Sequence, residues 1–383
     1  MRSKLAGEMG KGPGVLTEER AMLRGAQVSP GQLLLVGFRE EEKGLVCSLL
    51  SEGRLGGVIL LGRNCSDAMT VAELCRVLRE AAGGRGASAL PIVAVDQEQG
   101  RVCRITRGVT RFPGAEVLGA LNRPRTTELV SRLVNRELAA LGVHLNLAPV
   151  ADVWRPGVSS SVLEGRCFGE DPASVACHVR AWIRGSQGSG VAGCAKHFPG
   201  HGGAEGDSHR CLPVDTAPLS VMEVLHTRPF AAAIAVGVAA VMVGHVAYAA
   251  LDPGVPASLS RKVITGLLRE KMGFDGLVIT DDLEMGAISP RVGPVEAAIR
   301  ALRAGADMAL LARSSGEGIS LEDLSRGLEE AVRRGDLERS RVLESVSRVR
   351  EFKRRWIPER WSPPLVPPAS KAAGRVVERL GGL

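Results

Sequence analysis

Aromatic residues are scarce in this chain: one tyrosine, four tryptophans and seven phenylalanines among 383 residues. A surface that stacks nucleic-acid bases has little to be built from, so the net charge of +7 does not by itself indicate a nucleic-acid partner. Much of the positive excess lies in Arg333, Arg334, Arg339, Arg341, Arg348, Arg350, Lys353, Arg354, Arg355 and the tail beyond them, where an exposed helix face accounts for it. No apolar run reaches the about eighteen residues of a membrane helix, and the first two dozen residues carry scattered charges with no apolar signal-peptide core. Cysteines 47, 65, 75, 103, 167, 177, 194 and 211 contain no Cys-x-x-Cys and no close pair. Several sit in apolar runs, where a free thiol behaves as a small hydrophobe, and no disulfide framework is expected. These absences lead us to expect a cytoplasmic protein. Its 45% apolar and 24% charged residues are those of a folded globular protein, long enough for one large domain or two ordinary ones.

Short apolar runs recur at 33–37, 57–61, 92–96, 144–148, 191–196, 240–245, 277–281 and 307–311. Runs of this kind suit strands covered on both faces by helices, and helical segments such as 67–81, 126–141, 172–187 and 259–272 lie between them. Eight such units predict an α/β fold, a closed (β/α)8 barrel of the TIM type, with a doubly wound open sheet as the alternative. The barrel reading carries a test within the sequence. Catalytic residues of such barrels lie at the C-terminal ends of strands, and Asp96, Lys196, His245 and Asp281 each fall at such an end. The expected division is an N-terminal extension over 1–30, the barrel over 31–335, and a C-terminal helix and tail over 336–383. Helices are expected over 321–333 and 337–356, the second packing outside the barrel. Pro358, Pro363, Pro364, Pro367 and Pro368 oppose regular structure in the tail.

The densest chemistry lies in Lys196-His197-Phe198-Pro199-Gly200-His201-Gly202-Gly203-Ala204-Glu205-Gly206-Asp207-Ser208-His209. A lysine, three histidines and two carboxylates directly after a buried strand exceed what a solvated loop needs, and loops on rigid strands are where reactive groups are mounted. Clustered histidines also suit zinc, so a metal-dependent hydrolase using His197, His201 and His209 is a competing reading. Against it, no His-Glu-x-x-His spacing occurs and Lys196 repels a cation. A lysine at a buried strand end requires a partner. His209 titrates near neutrality, and Asp207 two residues away, in a loop with Gly202, Gly203 and Gly206, can turn toward it and fix its tautomer. His201 and His245 read as orienting residues.

This segment resembles the signature of glycoside hydrolase family 3, in its bacterial β-N-acetylglucosaminidase branch. Three further stretches carry the same resemblance in the family's order. Val95-Asp96-Gln97-Glu98 with Gly100-Arg101-Val102 and Arg104 is similar to the substrate-binding turn, and Gly165-Arg166-Cys167-Phe168-Gly169-Glu170-Asp171-Pro172 to the arginine loop. Ile279-Thr280-Asp281-Asp282-Leu283-Glu284-Met285 is similar to the strand end that bears the nucleophile. The resemblance implies Asp281 as nucleophile, His209 as acid/base with Asp207 as its partner, and Asp96, Arg104, Arg166, Lys196 and His197 as sugar-binding residues. Residue types alone do not separate Asp281 from Asp282, which can cap the next helix, and surface solvation is the competing role for Arg104 and Arg166.

The implied activity is retaining hydrolysis of terminal β-linked N-acetylglucosamine, with no cofactor or metal, on a small carbohydrate or a muropeptide of peptidoglycan recycling. A phosphorylase is the near alternative, because a histidine acid/base adds no negative charge against incoming phosphate. A sugar-binding barrel without activity is expected to lack Asp281 or His209, and both are present. Three departures from the family pattern stand out: Gln99 where glycine is usual, Thr280 and Glu284 where serines are common, and Gly244 where alanine is frequent.

Overall fold

The computed structural model describes residues 28–83, 86–157, 162–204, 206–208, 210–290, 292–313, 319–369 and 371–380. Eight parallel strands close into a barrel: β1 Leu34–Val36, β2 Gly57–Leu60, β3 Ile92–Val95, β4 Leu145–Asn146, β5 Ala192–Phe198, β6 Ala240–Val243, β7 Leu277–Asp282 and β8 Met308–Leu311. Each expected apolar run supplies one strand. Every strand pairs with its neighbour in sequence, and Leu34 opposite Ala309 with Val36 opposite Leu311 seals the circle. The open sheet is thereby excluded. The runs are apolar at successive positions because both faces are covered, the inner by packed side chains and the outer by helices.

Aspartate side chains cap two of the helices. Asp67 accepts the N–H of Thr70 at 2.9 Å before Ala68–Ala81, and Asp171 accepts that of Ser174 at 2.9 Å before Pro172–Gln187. Each bond satisfies a donor that the first helical turn leaves unpaired. Two elements are shorter than their expected ranges because polar side chains are diverted. β4 is confined to two residues because the Asn146 amide turns to the backbone of Gln97 and to Asn135. The helix expected over 259–272 runs as a wide π-type helix, Lys262–Lys271, after a turn in which Ser258 bonds His245 and Ser260 bonds Asp252.

The opposite end of the barrel is closed by charge. Asp307, fully buried ahead of β8, accepts from Arg269, Arg341 and Arg348, from the Ser345 hydroxyl at 2.9 Å and from the Val278 N–H at 3.0 Å. Burial alone raises its pKa, but the three guanidinium groups outweigh it and bring the value to about 2. Two of those arginines belong to Arg339–Trp356, so this helix is fastened to the outside of the barrel. The tail departs from expectation. After the prolines it forms a further helix, Lys371–Arg379, since residues 371–379 contain no proline. On the way the Trp361 indole donates to the Ala140 carbonyl at 3.2 Å, Arg79 donates to the Pro358 carbonyl at 2.7 Å, and Ala369 reaches Gly108. Among the described residues no helix is long and apolar enough to cross a membrane.

Candidate active site

A cavity of about 450 Å³ opens at the C-terminal end of the barrel. Its floor is the apolar interior, with Ile59, Leu147, Met242 and Leu310, and its walls hold Asp96, Arg104, Arg166, Lys196, His197, Asp207 and Asp281. Size alone points elsewhere, to a groove of about 690 Å³ outside the barrel. That groove holds no convergent set of reactive groups, whereas seven of the eight sequence-derived site residues line the smaller cavity. The eighth, His209, lies outside the described residues, as does Glu205.

Asp96 follows the last residue of β3 and accepts from Lys196 Nζ at 2.6 Å, with Arg104 Nη2 at 3.8 Å. The chain then turns through a small hairpin, Gln97–Gln99 against Val102–Cys103. Gln97 is its template: the side-chain oxygen accepts the N–H groups of Arg104 and Ile105, each at 3.0 Å, and the amide donates to the Ile105 carbonyl at 2.8 Å. Gln99 takes the left-handed conformation, φ 73°, that glycine adopts freely. Its side-chain oxygen accepts the Phe112 N–H at 3.0 Å, so the turn beside Asp96 keeps its shape and gains a tie to the following loop.

Lys196, on β5 and 2% exposed, is shared between Asp96 and Glu98, the latter at 2.7 Å. Arg166 grips Glu98 with two bonds, at 2.9 and 2.7 Å, and donates to the Val162 carbonyl at 2.8 Å. Burial opposes the charge on Glu98, but Lys196 and then Arg166 hold its carboxyl well below the usual range. Burial likewise disfavours the Lys196 ammonium, and Asp96 and Glu98 outweigh it, raising its pKa. Surface solvation is therefore not the role of Arg166, which is buried and engaged, while Arg104 remains half exposed at the rim.

His197 is set by a residue that sequence reasoning missed. Asp152, fully buried, holds His197 Nδ1 at 2.7 Å and the N–H of His201 at 2.6 Å. His197 thus presents its other nitrogen, Nε2, to the cavity. The only signal for Asp152 was a charge inside the apolar stretch 145–153, which demands a buried partner. Glu98 was likewise part of a quoted motif without a role. His201 meets the Ser208 hydroxyl at 3.2 Å, and His245 joins the Ser258 hydroxyl at 2.7 Å to the Asp282 carbonyl at 2.8 Å. Both histidines orient neighbouring groups.

Both aspartates that end β7 line the cavity, and their hydrogen bonds and charge state separate them. Asp281 faces the cavity and accepts the N–H of Asp282 at 2.8 Å. Burial would raise its pKa, but His197, His245, that backbone N–H and Lys196 together bring it to about 2, so it is a carboxylate at neutral pH. Asp282 is occupied with the backbone, accepting from Glu284 N–H at 3.1 Å and Ala312 N–H at 3.0 Å. Burial, only partly offset by those bonds, combines with the charges of Glu284 and Asp281 to push it up to about 7. Asp207 lines the cavity from the loop after β5, and Ser208 accepts the Ala287 N–H at 3.0 Å, tying that loop to the one after β7.

Carboxylates set beside lysine, arginine and histidine side chains in one cavity are compatible with glycosidase chemistry, and comparison with known proteins decides the family. Residues 27–352 match the glycosyl hydrolase family 3 N-terminal domain. The chain belongs to this family. It is a glycoside hydrolase. A β-hexosaminidase of Xylella fastidiosa (strain 9a5c) is 38% identical over 270 residues, 68% of this chain and 77% of that one. A solved fungal multi-domain family 3 β-N-acetylglucosaminidase superposes with a TM-score of 0.84 at 32% identity, covering 92% of this chain and 42% of that chain. A β-N-acetylglucosaminidase of Paenibacillus sp. str. FPU-7 gives 0.81 at 35% identity, covering 92% and 67%. This hydrolase thus spans less than half of the fungal protein. Among its described residues no three His, Cys, Asp or Glu side chains sit together as a metal site.

Proposed function

We propose that this family 3 hydrolase is a retaining β-N-acetylglucosaminidase with Asp281 as nucleophile. The observation that carries the reading is the asymmetry of the Asp281–Asp282 pair: both line the cavity, but the Asp281 carboxylate is ionised at neutral pH, whereas Asp282 is pushed up to about 7 and bonded to the N–H groups of Glu284 and Ala312. In this mechanism the Asp281 carboxylate attacks the anomeric carbon while His209, oriented by Asp207, protonates the departing oxygen. The same imidazole then takes a proton from water as water attacks the glycosyl-enzyme, giving net retention. Asp96, Arg104, Arg166, Lys196 and His197 hold the sugar. The donors on Arg166, Lys196 and His197 suit hydroxyl and acetamido oxygens, and Asp96 accepts from hydroxyls.

Arg101 and Arg104 stand at the cavity rim, beside Glu164 and Asp96 respectively. A cationic rim suits a substrate that carries an acidic group, which is compatible with a muropeptide of peptidoglycan recycling. A cytoplasmic site for that reaction is supported by eight cysteines that are all free thiols. Phosphorolysis is the second reading, favoured by the histidine acid/base, and product analysis with and without inorganic phosphate separates it from hydrolysis.

A mechanism-based fluorosugar that keeps the 2-acetamido group, with fluorine at C5, tests the proposal, with a label on Asp281 by peptide mass spectrometry as the expected result. A label on Asp282, or near-normal kcat in Asp281→Ala, refutes the assignment. A site built to bond the acetamido group rejects an analogue lacking it. Aryl β-glucoside is therefore expected to be a far poorer substrate than aryl β-N-acetylglucosaminide, and equal kcat/KM values refute that specificity.

A further inference from the structure

Beneath the loop that carries Asp207 lies a second acid–base pair that the mechanism above does not use. Asp215 and His226 are 1% and 0% exposed. Asp215 belongs to Val214–Asp215, a short strand paired in parallel with Ala247–Tyr248, and its Oδ1 accepts the Ala217 N–H at 2.8 Å. His226 ends the π-type turn Met222–His226, a geometry found mostly as local bulges at functional sites. Its Nε2 stands 3.2 Å from Asp215 Oδ2, but without the alignment a hydrogen bond needs. Among the described residues Asp215 Oδ2 and both ring nitrogens of His226 have no hydrogen-bond partner. Buried polar atoms of this kind carry a cost, and three in one place require a reason.

The reason lies in what rests on them. A Cβ on Gly203 would sit 2.4 Å from Asp215 Oδ2 and 2.7 Å from His226 Nε2, and one on Gly200 would sit 2.7 Å from the His226 Cβ. The backbone turn His201–Gly203 is therefore in direct contact with the pair. The turn is also fastened by Tyr248, the register partner of Asp215, whose hydroxyl donates to the Gly200 carbonyl at 2.7 Å, and by Asp152 at His201 N. Four residues beyond Gly203 the same segment delivers Asp207 to the cavity wall.

We propose that the Asp215–His226 pair is a positioning element of the reaction. It fixes the 200–203 turn and so holds Asp207 at the cavity wall, on the segment whose sequence continues to the proposed proton donor. The inference rests on the proposed glycosidase reading. It concerns the proton-donating side of the site and leaves sugar binding, built on β3 and β5, untouched.

The test is a leaving-group series on wild type, His226→Gln, Asp215→Asn, Gly203→Ala and His209→Ala, with Ki for N-acetylglucosamine and Tm measured alongside. Positioned proton transfer contributes about 10²–10⁴-fold and is needed least by acidic leaving groups. In the three pair variants kcat/KM is expected to fall about tenfold or more for the methyl glycoside, less than about threefold for the 2,4-dinitrophenyl glycoside, with Ki within about twofold of wild type. Equal losses across the series, losses accompanied by a matching rise in Ki, or no loss at all would overturn the proposal. If His209→Ala is flat across the series while the pair variants are steep, the assignment of His209 fails but the positioning role stands, with the donor elsewhere on the loop. If both are flat, both fail.

Discussion

Replacing Glu98 by glutamine keeps the side chain's shape and removes its charge at the point where three charge-assisted bonds meet, one from Lys196 and two from Arg166. The amide nitrogen then turns a donor toward a cation, and only one oxygen remains to serve Lys196 and Arg166. Removing one partner from a buried ionic cluster costs about 3–5 kcal/mol. At the about 2–4 °C per kcal/mol found for sizeable domains, Tm should fall by about 10 °C. The pH dependence has a definite sign. Glu98 has a depressed pKa in the folded protein, so its contribution is present above the ordinary value of 4.5 and is lost as pH falls below it. The difference in stability between wild type and Glu98→Gln should therefore be full at pH 7 and shrink as pH is lowered through 4.5. In catalysis Lys196 and Arg166 lose their fixed directions while Asp281 is untouched. KM should rise about tenfold with kcat changed much less, the signature of lost uniform binding. Calorimetric melts from pH 3 to pH 8, with Michaelis parameters at pH 7, provide the assay. An unchanged Tm, a stability difference that grows toward acid, or a loss confined to kcat would refute the reasoning.

Asp282→Asn should retain substantial kcat, since this side chain serves the backbone of Glu284 and Ala312, whereas Asp281→Asn should lose turnover; comparable losses in single-turnover assays would contradict the division of roles. Incubation with EDTA should leave activity intact, because the proposed proton donor is an imidazole; full loss restored by zinc would favour the competing metal reading. Asp307→Ala should lower stability by about 3–5 kcal/mol by removing the buried carboxylate that three partly buried guanidinium groups share and leave KM unchanged, since it sits at the barrel end remote from the cavity. As the Asp307 pKa is depressed to about 2, the wild type's advantage should vanish as pH falls from the ordinary carboxylate range toward that value, which acid unfolding curves would reveal.

The barrel was legible because a strand covered on both faces has only one way to be written, as a short apolar run. Asp96, Lys196 and Asp281 stood out as charges at the ends of such runs. Asp152 and Glu98 carried no comparable mark. Their partners lie 45 and 68 residues away in the chain, at His197 and Arg166, and only barrel closure brings them together. Gln99 was readable as a departure from glycine but not as a harmless one, because its compensation is a bond to Phe112 N across the turn. The last helix was obscured by proline: Pro363, Pro364, Pro367 and Pro368 dominate the composition of the tail, and the proline-free residues 371–379 follow them.

That tail has a practical side. Its path takes it from the Arg339–Trp356 helix across the outside of two barrel helices, where the Trp361 indole seats on Gly142, to Gly108 beside the first residue of Ala68–Ala81. Helices of this barrel begin at the end where the cavity opens, so the tail is a strap running the height of the molecule. A shortened chain stopped at Trp356, an inviting choice given the prolines, would bare the indole's seat and loosen the loop that follows the 97–103 hairpin. Such trimming should show itself as weaker sugar binding before any loss of the barrel, and a label attached within the strap would report from the mouth of the cavity.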